Sequence, residues 1–152
     1  MIIRLTLCVS GLLAFATVAD ARDFVFVIGG GPTPASNQVS IEKNVEFFQK
    51  TMVRIGLRPS ERTLLFAAGA SQRPDVCYKE ETPPLNRYLA SLFGPSANAD
   101  LYYRRHSLDR VDAASTRDAV LDRLDKFSKQ LAAGDRLLIY MTGHGGEGDP
   151  AA

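Results

Sequence analysis

Thiols and imidazoles are scarce in this chain: 152 residues contain two cysteines and two histidines. Cys8 lies in an apolar N-terminal stretch, which leaves Cys77 with no partner for an internal disulfide. No H-x-x-x-H and no paired-cysteine spacing occurs, so a zinc site has no foothold among His106, His144 and their neighbours. Charge runs of one sign are also missing: 18 Lys and Arg stand against 17 Asp and Glu, a net +1. That balance calls for neither nucleic acid nor an acidic membrane as partner. No G-x-S-x-G elbow marks an α/β hydrolase, and no repeat or low-complexity tract is present.

What is there begins with a leader. Residues 1–21 carry one positive charge at Arg4, an apolar stretch over 5–18, and Ala19-Asp20-Ala21. This is the pattern of a secretory signal peptide with an A-x-A cleavage site. Its apolar core is shorter than the roughly 20 residues of a membrane-spanning helix, and no second long apolar run follows, so the mature chain has no stable span. Cys8 follows the bulky Leu7 rather than the small residue that a lipoprotein processing site requires. The mature chain is expected to begin at Arg22 and to be secreted or periplasmic. Removing 21 of 152 residues leaves 131, one domain over 22–152 of ordinary size.

Within it, apolar runs suited to buried strands alternate with helix-period segments, the order that a parallel α/β sheet requires. FVFVI at 24–28 reads as a first strand and leads into GGGPTPASN. Ile41, Val45, Phe48, Met52 and Ile55 then recur at helical spacing, with Ser40 as N-cap and Gly56 as stop. TLLFAAG at 63–69 is a second strand, and LYYRRH at 101–106 a weaker one. The proline-rich, mixed-charge stretch 70–84 reads as a surface insertion, and 85–93 as a short helix ended by Gly94-Pro95. Ser115-Thr116-Arg117-Asp118 forms a capping box for a helix carrying Val120, Leu124, Phe127 and Leu131, stopped by Gly134. Residues 137–141 read as a third strong buried strand.

In open parallel sheets the loops beyond the strands' carboxyl ends carry the chemistry, which directs attention to GGGPTPASN and TGHGGEGDP. The first is a poor phosphate cradle. G-x-G-x-x-G takes Gly29 and Gly31 but meets Pro34 at the third position, and no P-loop lysine follows. The second holds His144 between Gly143 and Gly145-Gly146. Its imidazole titrates near neutrality and suits proton transfer, and the unshielded amide of Gly145 suits a developing oxyanion.

A strand followed by T-G-H-G-G in an α/β chain resembles the caspase and legumain group of cysteine peptidases. The resemblance implies a three-layer α/β sandwich with a mainly parallel sheet. It assigns His144 as general base and Gly145 as oxyanion donor. In legumain-like members an asparagine after the first strand orients the histidine, a place taken here by Asn37. The group's nucleophile is a cysteine at the end of the next strand, whereas this sequence stops eight residues after His144. The expectation is therefore a caspase-like domain truncated after its histidine loop, inactive alone and paired with a missing C-terminal part. Peptides or proteins are its substrates, and no cofactor or metal is implied.

Cys77 sits in the expected insertion and reads as an inert or substrate-contacting thiol rather than a displaced nucleophile. Asp75, Glu80 and Glu81 read as solvated charges. The rival from another class is a noncatalytic exported interaction module that keeps the fold. The leader makes a direct prediction: N-terminal sequencing of the exported protein begins at Arg22, and an intact Met1 on a protein retained inside the cell contradicts it.

Overall fold

A computed structural model describes residues 21–144 apart from 32, 72, 82 and 95–99. The expected leader up to residue 20, and Gly145, lie outside these. Strand β1, Asp23–Gly29, is the axis of the fold, with residues 24–29 all buried. It pairs in parallel with β2, Glu61–Phe66, on one side and with β5, Arg136–Thr142, on the other, in the order β2-β1-β5. Between β2 and β5 come β3, Val76–Lys79, helix α2, Pro84–Phe93, and β4, Leu101–Arg104. Strands β3 and β4 form a separate antiparallel pair.

Two helices take the two faces of the parallel sheet because β1 is apolar on both. Helix α1, Val39–Arg54, sets Ile41, Val45 and Met52 against Val25, Val27, Leu64 and Phe66. Helix α3, Arg117–Gln130, sets Phe127 against Phe24, Phe26 and Leu65. The Phe127 ring lies 6.0 Å from that of Phe24 and 5.5 Å from that of Phe26, edge-on and tilted, as quadrupoles prefer. The α/β architecture read from the sequence is present, with a parallel three-stranded sheet between helices.

Local details differ from the sequence reading. The N-cap of α1 is Gln38, so Ser40 lies inside the helix. Helix α3 is capped by Thr116, whose Oγ1 accepts from the Ala119 nitrogen at 3.2 Å, in place of Ser115. Strand β2 starts earlier, at Glu61, and ends at Phe66, beyond which Ala67 takes a left-handed φ of 43°. The supposed insertion 70–84 contains β3, and Asp75, Val76 and Cys77 are buried. Residues 137–141 do form a strand, but it is not fully buried. With β5 outermost in the sheet, Leu138, Ile139 and Met141 remain 43, 44 and 68% exposed.

Burial ranks the consequences of truncating these side chains. Phe127→Ala removes a fully buried ring shared by two aromatic neighbours and is expected to cost about 3–5 kcal/mol. Met141→Ala, on the exposed edge, is expected to stay within roughly 0.5 kcal/mol of wild type. Denaturant unfolding of both variants checks the ordering, and similar midpoints contradict the placement of α3.

Candidate functional site

The parallel registers align the ends of β1 and β5. Gly29 stands beside Thr142, and the Gly30 nitrogen donates to the Thr142 carbonyl at 3.0 Å. The glycine loop after β1 and the Gly143-His144 segment after β5 therefore leave the sheet side by side. Gly30 has φ +79°, and a Cβ there would lie 2.6 Å from Asn37 Oδ1, so only glycine fits the approach. The Asn44 side-chain amide adds a 3.2 Å hydrogen bond to Thr142 Oγ1, tying α1 to the same strand end.

His144 is exposed and makes no hydrogen bond to any other described residue. Asn37 is 1% exposed. Its Oδ1 accepts from the Gly31 nitrogen at 2.6 Å, and its carbonyl accepts from the Cys77 nitrogen at 2.8 Å. Asn37 thus fixes the glycine loop and anchors β3 to it. Its amide oxygen is occupied by Gly31, and among the described residues no hydrogen bond joins its amide nitrogen to His144. The two side chains belong to neighbouring loops and share no hydrogen bond among the described residues.

Cys77 is buried in β3 and lines a cavity of about 430 Å³ with Gln38, Val39, Ser40, Tyr78, Lys79 and Leu101. It belongs to the smaller sheet, whereas His144 follows β5 of the parallel one. Asp75 corrects the sequence reading: it is 1% exposed rather than solvated, and its Oδ1 accepts from the His106 nitrogen at 3.0 Å. The His106 ring makes a 3.0 Å hydrogen bond through Nε2 to the Gly69 carbonyl and meets Phe66 edge-on. His106 is a packing residue that closes the loop after β2. Glu80 and Glu81 are exposed, as expected of solvated charges.

Sequence reasoning missed Glu42. It lies on the flank of α1, 2% exposed, where Arg104 grips both carboxylate oxygens and the Ser107 main chain and hydroxyl donate to Oε1. Burial pushes its pKa up, but the Arg104 guanidinium and the Ser107 donors outweigh that and hold it below the usual glutamate range. A helix-face glutamate looks solvated in sequence, and only the arrival of β4 on α1 gives it a counter-ion. Among the described residues no group of three or more His, Cys, Asp or Glu could hold a metal ion, and no helix is long and apolar enough to cross a membrane. No family model, no curated protein and no solved structure matches the chain.

The sign of the Glu42 effect follows from its lowered folded pKa. Its contribution to stability is present above the unfolded value, about 4.3, and is lost as pH falls through the folded one. Wild type and Glu42→Gln are therefore expected to differ in Tm near neutrality and to converge as the pH is lowered to roughly 3. A gap that widens on acidification contradicts the pairing with Arg104.

Proposed function

We propose that this chain is the histidine-bearing part of an exported cysteine endopeptidase of the caspase and legumain type. The observation that carries the reading is the placement of His144. It stands exposed two residues beyond the carboxyl end of the parallel strand β5, at the edge of the sheet, beside a glycine loop held in shape by Asn37. In that role His144 takes the proton of an attacking thiol and returns it to the leaving amine, while the Gly145 amide stabilises the oxyanion. Asn37 acts as a positioning residue through the Gly30–Gly31 loop.

The thiol comes from a strand added to the outer edge of β5. The Arg136 nitrogen and the Thr142 carbonyl both turn toward β1. Strand alternation then leaves the N–H and C=O groups of Leu137, Ile139 and Met141 pointing outward. Apolar side chains flank this edge on both faces. Leu138 lies on the α1 face, and Phe47 stands one turn along α1 from the Asn44 that reaches Thr142. Ile139 and Met141 lie on the α3 face, with Leu121 on the side of α3 opposite Arg123, which pairs with Glu61 of β2. An edge so furnished suits an interior strand as its neighbour.

A second reading, a noncatalytic interaction module, draws on α2. Leu85, Tyr88, Leu89 and Leu92 recur at helical spacing along it and are 67, 67, 46 and 62% exposed, a stripe suited to a protein groove. Activity separates the two. The chain alone is expected to show no turnover on a mixed peptide library, and turnover abolished by Cys77→Ala overturns the placement of the nucleophile. In a longer form that carries the added strand, His144→Ala is expected to lower kcat/KM by roughly 10²–10⁴-fold with Tm unchanged. Full activity in that variant overturns the role of His144, and inactivity of the longer form itself favours the module.

A further inference from the structure

The main chain enters the fold on a carboxylate. Asp135, in the turn between α3 and β5, has a side chain only 4% exposed. Its Oδ1 accepts from the Arg22 main-chain nitrogen at 2.9 Å. Its Oδ2 accepts from Arg22 Nη2 at 2.6 Å and from the Ala132 nitrogen at 2.9 Å. Arg22 Nη2 donates also to the Gln130 carbonyl at 2.9 Å, and the guanidinium lies 5.1 Å from the centre of the Phe24 ring. The Arg22 guanidinium and the donors from Arg22 and Ala132 hold the Asp135 carboxyl well below the usual carboxylate range.

The nitrogen that Asp135 receives is the one that leader removal transforms. Hydrolysis of the Ala21–Arg22 amide adds water across that bond, leaving a carboxylate on Ala21 and an α-ammonium on Arg22. We infer that the α-ammonium freed at Arg22 is captured by Asp135, so that processing of the chain replaces an uncharged amide donor with a cation and adds an ion pair clasping β1 to the start of β5. The inference rests on the leader reading and is independent of any peptidase activity.

Three features favour the capture. The acceptor is already charged and its side chain is only 4% exposed, so a donor that becomes a cation adds charge–charge attraction to a hydrogen bond already in place. The site lies at the carboxyl end of α3, beside the Gln130 carbonyl, where the helix dipole favours a cation. The α-ammonium shares Asp135 with the guanidinium of Arg22, and the adjacent Asp23 is no alternative acceptor, being engaged by Arg136, Nε to Oδ1 at 2.6 Å and Nη2 to Oδ2 at 2.8 Å. The clasp also closes the register from below, since the Arg136 nitrogen donates to the Arg22 carbonyl at 2.9 Å.

The test compares three forms of the chain: one beginning at Arg22, the same form acetylated on its α-amine, and one retaining Ala21 ahead of Arg22. The first is expected to melt above the other two by roughly 2–6 °C. With Asp135→Asn in all three, the differences are expected to vanish. Equal melting of the three forms with Asp135 intact overturns the capture. N-terminal sequencing of the exported protein tests the cut by itself. A start at any residue other than Arg22 removes the ion pair from the working protein while leaving the melting comparison untouched, so the two failures are told apart.

Discussion

Everything in this fold hangs from β1, which hydrogen-bonds in parallel on both edges and packs apolar side chains on both faces. Its odd residues pair with β2, as the Ser60 nitrogen on the Asp23 carbonyl and the Ala67 nitrogen on the Gly29 carbonyl show at either end. Its even residues pair with β5. Val25 and Val27 take one face and Phe24, Phe26 and Ile28 the other. A slip of one residue would exchange those sets, carrying phenylalanines under α1 and valines under α3. The same fixed register decides that the Gly30–Gly31 loop and the Gly143-His144 segment emerge together. Core packing and the geometry of the candidate site are therefore one constraint.

The sequence made legible whatever depended on local pattern. FVFVI announces β1 because a strand buried on both faces needs no alternation, and the helical spacing of Ile41, Val45 and Met52 announces the core face of α1. Strand β3 was hidden for the opposite reason. Its four residues lie among prolines and charges, and they become a strand only through partners far along the chain: Cys77 opposite Tyr103, and Val76 opposite Arg104. Asp75 and Glu42 were misread or overlooked on the same ground. Each is buried by a main-chain or guanidinium donor that lies more than 30 residues away, the His106 nitrogen for one and Arg104 for the other.

Of the candidate site, the glycine–histidine segment was legible and the role of Asn37 only partly so. The sequence placed Asn37 in the loop after the first strand, where it stands. That its Oδ1 closes on Gly31 depends on Gly30 adopting φ +79°, and a loop holding three glycines offers several places for such a turn. The exposure of β5 was invisible for a more general reason. Composition tells how much apolar surface a strand carries and is silent on whether a neighbour covers it.

That mismatch explains how the fold holds together with an uncovered edge. Among the described residues the fully buried apolar side chains belong to β1, β2, the core faces of α1 and α3, and Val76 of β3, and none belongs to β5. On the α1 side, β5 contributes Tyr140, stacked on Phe48 with ring centres 4.2 Å apart, and on the α3 side it contributes Leu137. Its remaining apolar residues add little to the interior. Among the described residues the core closes without them, which leaves Leu138, Ile139 and Met141 exposed along the outer edge. A strand held on one edge by a complete parallel ladder, and left apolar on both faces along the other, is a rigid rim carrying His144 at its tip. In the proposed reading, a strand added to that rim is delivered in register to the histidine, because the main-chain groups of Leu137, Ile139 and Met141 fix both its distance and its phase.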